Sequence, residues 1–263
     1  MNALRLQTLS RPQTAALGAI GLLSFLGVWS VLSLSGIVPH QFLPAPHEVA
    51  ARFFQLLFAP FAGATLQEHL ASSALRFAYG FVLGAVVGIP LGLLMGWFRV
   101  LDEIVSPAFD ALRFIAPIAW VPFAALWFGT GIGGPILIIF AGSFPPCLIN
   151  AYRGARFVPR PLIEAAQMLG TGNLRIIVEV LLPASTASIV AGLRVSAGLG
   201  WQSLIGAELI VASTGVGFMM VQAQLAASTP TVMSAMVAIG LVGLAIDVAL
   251  RALEAAVRRR RLA

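Results

Sequence analysis

Few side chains in this sequence could do chemistry. Its 263 residues include sixteen arginines, ten carboxylates, three histidines, one cysteine and no lysine. A Walker A loop needs its lysine on the phosphates, so this chain cannot contain one, and ATP, if it is used, must sit on a partner. His40, His47 and His69 have no carboxylate or cysteine at ligand spacing and are expected to be surface or interfacial residues rather than a metal site. No serine or cysteine is paired with a base that would make it a nucleophile. Cys147 stands alone, which rules out an intrachain disulfide. Neither catalysis nor a cofactor bound by this chain is expected.

Ionisable residues inside apolar stretches are costly, and each is a functional candidate by default. Arg194 and Glu208 fall in one stretch, but fourteen residues of helix separate them by about 21 Å, so they cannot pair with each other. Arg194 is read as snorkelling or pairing with a carboxylate on another helix. Glu208 has two open readings: it shapes the mouth of a path, or it braces the Gly215-Val216-Gly217 turn. Asp110 and Arg113, three apart, and Asp247 and Arg251, four apart, are expected to form local ion pairs. Trp120, Trp201, Gln202 and Ser203 are polar or aromatic residues in glycine-rich apolar runs. With Glu208 they are the candidates for a translocation path, against an ordinary packing role. No arginine inside a span is evidently placed for an anion.

The elements that hold these residues follow from composition. With 59% hydrophobic residues, 10% charged residues and a mean hydropathy of +0.94, the chain cannot make an apolar core with a polar shell, and it is an integral membrane protein. Twenty-six glycines and sixteen prolines suit polytopic helices that pack closely. Ala15 to Leu34 gives about 30 Å of helix, the thickness of a hydrocarbon core, and reads as a membrane anchor rather than a cleaved signal peptide. Gly36 to Ser73 is mixed, with an amphipathic piece at His47 to Phe58 that should lie at the interface. Further spans are expected at Gly80 to Phe98, Phe109 to Phe128, Ile132 to Ile149, Thr186 to Ala212 and Thr231 to Leu250. That makes six.

Six spans put both termini on one side. With the amino terminus inside, Arg5, Arg11, Arg99, Arg153, Arg156, Arg160, Arg175, Arg251 and Arg258 to Arg261 are cytoplasmic and only Arg52 is clearly outside. The basic tail holds orientation and touches anionic lipid. The arginines are not interleaved with aromatics, so the net charge of +6 reflects topology and not nucleic acid.

Arg153 to Pro183 is the long polar interruption in the second half of the chain. Pro161 suits a first helical position, Glu164 is expected in the first turn, and Gly170 suits a left-handed cap. The helix so defined is about nine residues, on the order of 14 Å, too short to span. A second short helix is expected from Leu174 to Leu182, ended by Pro183 before the next span. Two short helices with low relief at Ala165 and Ala166 make a knob that a partner could grip.

Glu164-Ala165-Ala166, three residues, Gly170, nine residues, Val180, one residue, Leu182-Pro183 resembles the EAA loop of permease subunits in binding-protein-dependent ABC importers, E-A-A-x3-G-x9-I-x-L-P, with Val180 in place of isoleucine. FLPAPHEV, ALRFAYGFVLGAVVGIPLGLLMG, PIAWVPFAALWFGTGIG and AGLRVSAGLGWQSLIGAELIVASTGVGFMM resemble the branch that carries taurine, other alkanesulfonates, nitrate and related small anions; related branches import bicarbonate, aromatic acids or neutral vitamin precursors. The resemblance implies an all-α polytopic membrane protein, with one helix added to a five-helix type I ABC importer core and a cytoplasmic coupling helix. It implies ATPase-coupling roles for Pro161, Glu164, Ala165, Ala166, Met168, Leu169, Gly170, Leu182 and Pro183. It also implies a dimer of ABC ATPase subunits carrying ATP and Mg, a second permease copy, a periplasmic or lipid-anchored solute-binding protein, and a bacterial inner membrane location.

The expected organisation is a cytoplasmic amino terminus and first helix (1–35), a periplasmic or interfacial segment (36–73), a permease core (74–253) with its coupling loop (153–185), and a basic cytoplasmic tail (254–263). The expected function is the membrane subunit of an ATP-driven importer of a small anion. An ion-gradient-driven secondary transporter or channel is the alternative from another class.

Overall fold

The computed structural model describes residues 11–129 and 131–262, without the side chains of residues 11, 257, 258 and 260–262. The expected cytoplasmic position of Arg5, and of the side chains of Arg11, Arg258, Arg260 and Arg261, therefore lies outside the described residues. Every regular element among the described residues is helical.

Helix α1 (Arg11–Leu34) exposes apolar side chains on all sides, as a lipid-facing helix must. Its far end is tied down where Trp29 Nε1 donates to the Pro44 carbonyl (3.0 Å) and Ser33 Oγ to that of Leu43 (2.9 Å). Helix α2 (Pro46–Phe58) starts on a proline and a backbone N–H bonded to Glu48, and it buries Val49 and Leu56. Its bounds match the amphipathic piece expected at His47 to Phe58. Thr65 and Glu68 form a capping box that starts α3 (Leu66–Trp97), so this helix begins well before the expected Gly80.

Helix α4 (Arg99–Leu112) is followed by a 3-10 turn (Pro117–Trp120) and α5 (Val121–Phe128). The expected straight span from Phe109 to Phe128 is not formed, because the two helical pieces meet at 86°. Pro117 forces Ala116 into an extended conformation (φ −57°, ψ 138°), which a continuous helix cannot accommodate. Five helices are long and apolar enough to cross a membrane, and the bent pair makes six if it counts as one span.

After α6 (Gly133–Arg156) come the short α7 (Arg160–Met168) and α8 (Asn173–Ile176), then a π-helical segment (Ile177–Leu181) and α9 (Leu182–Val211). The expected stop at Pro183 does not occur, since the chain is helical from Asn173 to Val211. Pro183 falls in the first turn of α9, and the π segment shifts the hydrogen-bond ladder just before it, so its missing N–H breaks nothing. Helices α10 (Val216–Leu225) and α11 (Thr229–Leu262) complete the chain.

Close backbone approach organises the bundle. Gly80, Gly84, Gly88, Gly92 and Gly96, one helical turn apart, face Ile139, Ser143, Cys147, Leu148 and Ala155 in the same order, so α3 and α6 run parallel. A Cβ at Gly80 would lie 2.5 Å from that of Ile139. Gly192 against Asn150 and Gly142 against Ser203 set α9 antiparallel to α6. Helix α11 lies antiparallel to α9, with the Trp201 indole donating to the Ile239 carbonyl (3.2 Å) near one end and Arg194 meeting Asp247 (2.7 Å) further along. The carboxy ends of α3, α6 and α11 and the amino end of α9 thus share the side on which α7 sits.

Candidate functional site

Two places could carry function: the α7 loop and a cavity between α6 and α9. Helix α7 has no buried residue. Ile163 packs against a small core of Leu93, Ala155, Val158, Ile177 and Leu181 and anchors the helix to the bundle. Its end is a Schellman cap: Gly170 N–H donates to the Gln167 carbonyl (2.9 Å), Thr171 N–H to that of Ala166 (3.1 Å), and Gly170 takes φ +74°. Glu164 lies just past the first turn, not within it, because the helix starts at Arg160. Its side chain is exposed and has no hydrogen bond or ion pair among the described residues.

Around α7 is an unusual quantity of exposed apolar surface. Met168 is 88% and Leu169 85% exposed, flanked by Leu162, Leu174 and Phe157. Such a patch next to an anchored short helix is what a partner-binding surface requires. Pro161, Ala165 and Pro183 are also exposed, while Ala166 is half-buried and Leu182 lies 39% exposed at the root of α9. The structure therefore brings together Pro161 through Gly170 on one knob and puts Leu182-Pro183 at its base.

The cavity, about 610 Å³, is lined by residues of α6 and α9 and of the bend between α4 and α5. Gln202 and Ser203 are on its wall, together with Asn150, Arg113 and Arg153. Arg113 and Arg153 are not among the expected path candidates; the bend at Pro117 brings Arg113 to this wall, and the helical phase of α6 brings Arg153. Arg113 also forms the expected local pair with Asp110 (2.8 Å). The remaining path candidates lie elsewhere. Trp120 lines a neighbouring apolar cavity of about 310 Å³ against α4 and α6. Trp201 is 5% exposed, hydrogen-bonded to α11 and packed edge-on to Phe77 (5.5 Å), which is a packing role.

Glu208 sits 1% exposed at the end of the bundle opposite α7. Its carboxylate accepts from Arg76 (2.8 Å), from Ser73 Oγ (2.8 Å) and from the Gly217 N–H (3.0 Å). Arg76 also donates to the Thr214 carbonyl (2.7 Å) and to the Thr214 hydroxyl. A Cβ at Gly217 would meet that of Glu208 at 2.6 Å, and Gly215 needs φ +111°, so the turn is built around the carboxylate. Of the two readings of Glu208, this geometry is the brace. Arg76 is the partner that sequence reasoning missed.

His69 is also corrected. It is 1% exposed rather than interfacial, accepting the Gly215 N–H at Nδ1 (3.2 Å) and bonding the Phe61 carbonyl through Nε2 (3.0 Å). The early start of α3 buries it in the same joint. Arg194 pairs with Asp247 (2.7 Å) and Glu254 (3.7 Å) on α11, the cross-helix carboxylate pairing that is one of its two readings, and Arg251 forms the expected local pair with Asp247 (2.7 Å). No group of three metal-ligating side chains is found among the described residues.

The taurine transport system permease protein of Escherichia coli is 33% identical over 247 residues, covering 94% of this chain and 89% of that one. The bicarbonate transport system permease protein of Synechococcus elongatus is 34% identical over 235 residues, covering 86% and 84%. Among solved structures, an inward-facing conformation of the MetNI methionine ABC transporter matches with a TM-score of 0.61 at 21% identity, covering 73% of this chain and 94% of that one, a likeness of fold. The model of the family described as binding-protein-dependent transport system inner membrane component matches residues 88–262. The chain accordingly belongs to that family, the membrane-embedded permease subunits of binding-protein-dependent ABC importers.

Proposed function

We propose that two copies of this chain form the membrane path of an ATP-driven importer for a small anionic solute, a sulfonate such as taurine first, nitrate or another small organic acid second. The observation that carries this reading is the α7 knob. An exposed, capped, apolar-faced helix is anchored through Ile163 to the ends of the spanning helices, so force applied to it reaches the bundle. A dimer of ATPase subunits grips the two knobs through Glu164, Ala165, Met168 and Leu169. ATP and Mg bind there, and closure of the ATPases moves the paired helices together. Both termini are cytoplasmic in this arrangement, and a solute-binding protein delivers from the other side. Relatives named for taurine and for bicarbonate are equally similar at 33% and 34% identity, which supports placing most selectivity in that binding protein.

The test is co-purification and reconstitution of this chain with the ATPase and binding protein. Uptake should require ATP inside the vesicle compartment that contains the ATPase and should survive collapse of the proton gradient. Uptake that stops with the gradient and ignores ATP would assign the chain to ion-driven transport instead.

A further inference from the structure

The cavity between α6 and α9 has a charge asymmetry. Its wall carries two arginines, Arg113 and Arg153, and amide or hydroxyl groups from Asn150, Gln202 and Ser203, but no carboxylate. The two arginines differ. Arg113 is compensated by Asp110 at 2.8 Å and stacked 4.7 Å from the Phe114 ring centre, so its charge is committed. Arg153 forms no ion pair among the described residues, although its neighbour Arg156 reaches Asp102 at 3.9 Å. Arg153 therefore leaves one net positive charge on the wall of a cavity large enough for a small organic ion.

Groups suited to an anion's oxygens surround that charge. Asn150 lies one turn before Arg153 on the same face of α6; its amide donates one N–H to the Pro146 carbonyl (2.8 Å) and keeps the other. Gln202 faces the cavity from α9 and its side chain has no hydrogen bond among the described residues. We propose that Arg153, with Asn150 and Gln202, forms a weak anion subsite in this cavity that takes the sulfonate or carboxylate group of a solute; its assignment to solute in transit rests on the importer reading. One guanidinium supplies bidentate recognition of a planar or tetrahedral oxyanion, while the exposure of Arg153 keeps the contact weak enough to release.

The lone Cys147 is 1% exposed, so a cysteine introduced in the cavity can report on it against a silent background. Val195 is 53% exposed on the same wall and has no assigned role. In inside-out membrane vesicles carrying the full chain, the Val195→Cys variant is treated with an anionic sulfonatoethyl and a cationic trimethylammonioethyl methanethiosulfonate. A unit charge about 8 Å away at an effective dielectric of about 40 changes the local concentration of a univalent ion roughly fivefold, in opposite senses for the two reagents. Adding Arg153→Gln should lower the anionic-to-cationic rate ratio by about 25-fold. Arg153→Lys should largely preserve it, and Arg175→Gln, which removes an arginine paired to Glu179 outside the cavity, should not change it.

A ratio unmoved by Arg153→Gln overturns the subsite. So does an equal fall with Arg175→Gln, which would make the effect diffuse surface charge, and so does failure of both reagents to react, which would make the cavity closed to ions. The ATP-dependent uptake experiment fails or succeeds separately. A charge-selective cavity in a chain that does not import with ATP would keep the subsite and remove only its assignment to transit.

Discussion

Arg76 and Glu208 are 132 residues apart and form the charge pair that closes the end of the bundle opposite α7. Removing one partner of a buried pair leaves the other uncompensated, whereas removing both need not be destabilising. Arg76→Met should therefore cost about 3–5 kcal/mol. In a chain of this size that is on the order of 10 °C in the Tm of detergent-purified protein. The double variant Arg76→Met with Glu208→Leu should recover much of the loss. A double variant as unstable as the sum of the two singles would show that the groups act independently. Glu208 stands out in the sequence as a charge in an apolar run, and the Gly215-Val216-Gly217 turn stands out beside it. Arg76 does not, because it sits where the polar segment gives way to apolar helix, and only the folded chain shows that α3 begins ten residues earlier.

At the scale of elements, α7 is a surface device and its residues should separate coupling from stability. Glu164→Arg reverses an exposed charge that has no hydrogen-bond or ion-pair partner among the described residues, so thermal stability should change by less than about 0.5 kcal/mol. Solute-stimulated ATP hydrolysis by the reconstituted complex should be lost. Gly170→Val meets no atom within 4 Å but must hold φ +74°, which costs a β-branched residue about 1–2 kcal/mol and frays the cap. Membrane insertion should be unchanged and coupling impaired; hydrolysis still stimulated as in the parent chain, in both variants, would remove α7 from the coupling path. This loop was readable in advance because its signals are local: Pro161 near the start, Gly170 at the cap, eight residues between. The ending at Pro183 was not, because a π segment's accommodation of a proline has no marker in residue type. Nor did composition show the 86° bend at Pro117, where prolines inside α3 and α6 (Pro90, Pro145 and Pro146) leave those helices continuous.

The whole molecule has two chemically different ends. Arg99, Arg153, Arg156, Arg160, Arg175 and Arg251 gather on the α7 side, where α3, α6 and α11 finish and α9 begins. The opposite end holds Arg52, which bonds Thr231, and Arg76, neutralised by Glu208. Positive charge retained in short loops marks the cytoplasmic face, so the α7 side, the entry to the Arg153 cavity and the carboxy-terminal end of α11 should all face the cytoplasm. Single cysteines at exposed positions of the two ends test this directly. Ala256→Cys lies near the end of α11, and Ala59→Cys closes α2, whose buried face packs on Leu66 and Val216 at the other end. In intact spheroplasts a membrane-impermeant maleimide should label Ala59→Cys and leave Ala256→Cys unmodified, with both labelled after permeabilisation. The parent chain, with only the buried Cys147, should stay unlabelled. Labelling of Ala256→Cys alone in intact spheroplasts would invert the molecule, place α7 where no ATPase can reach it, and so reject ATP coupling through this loop.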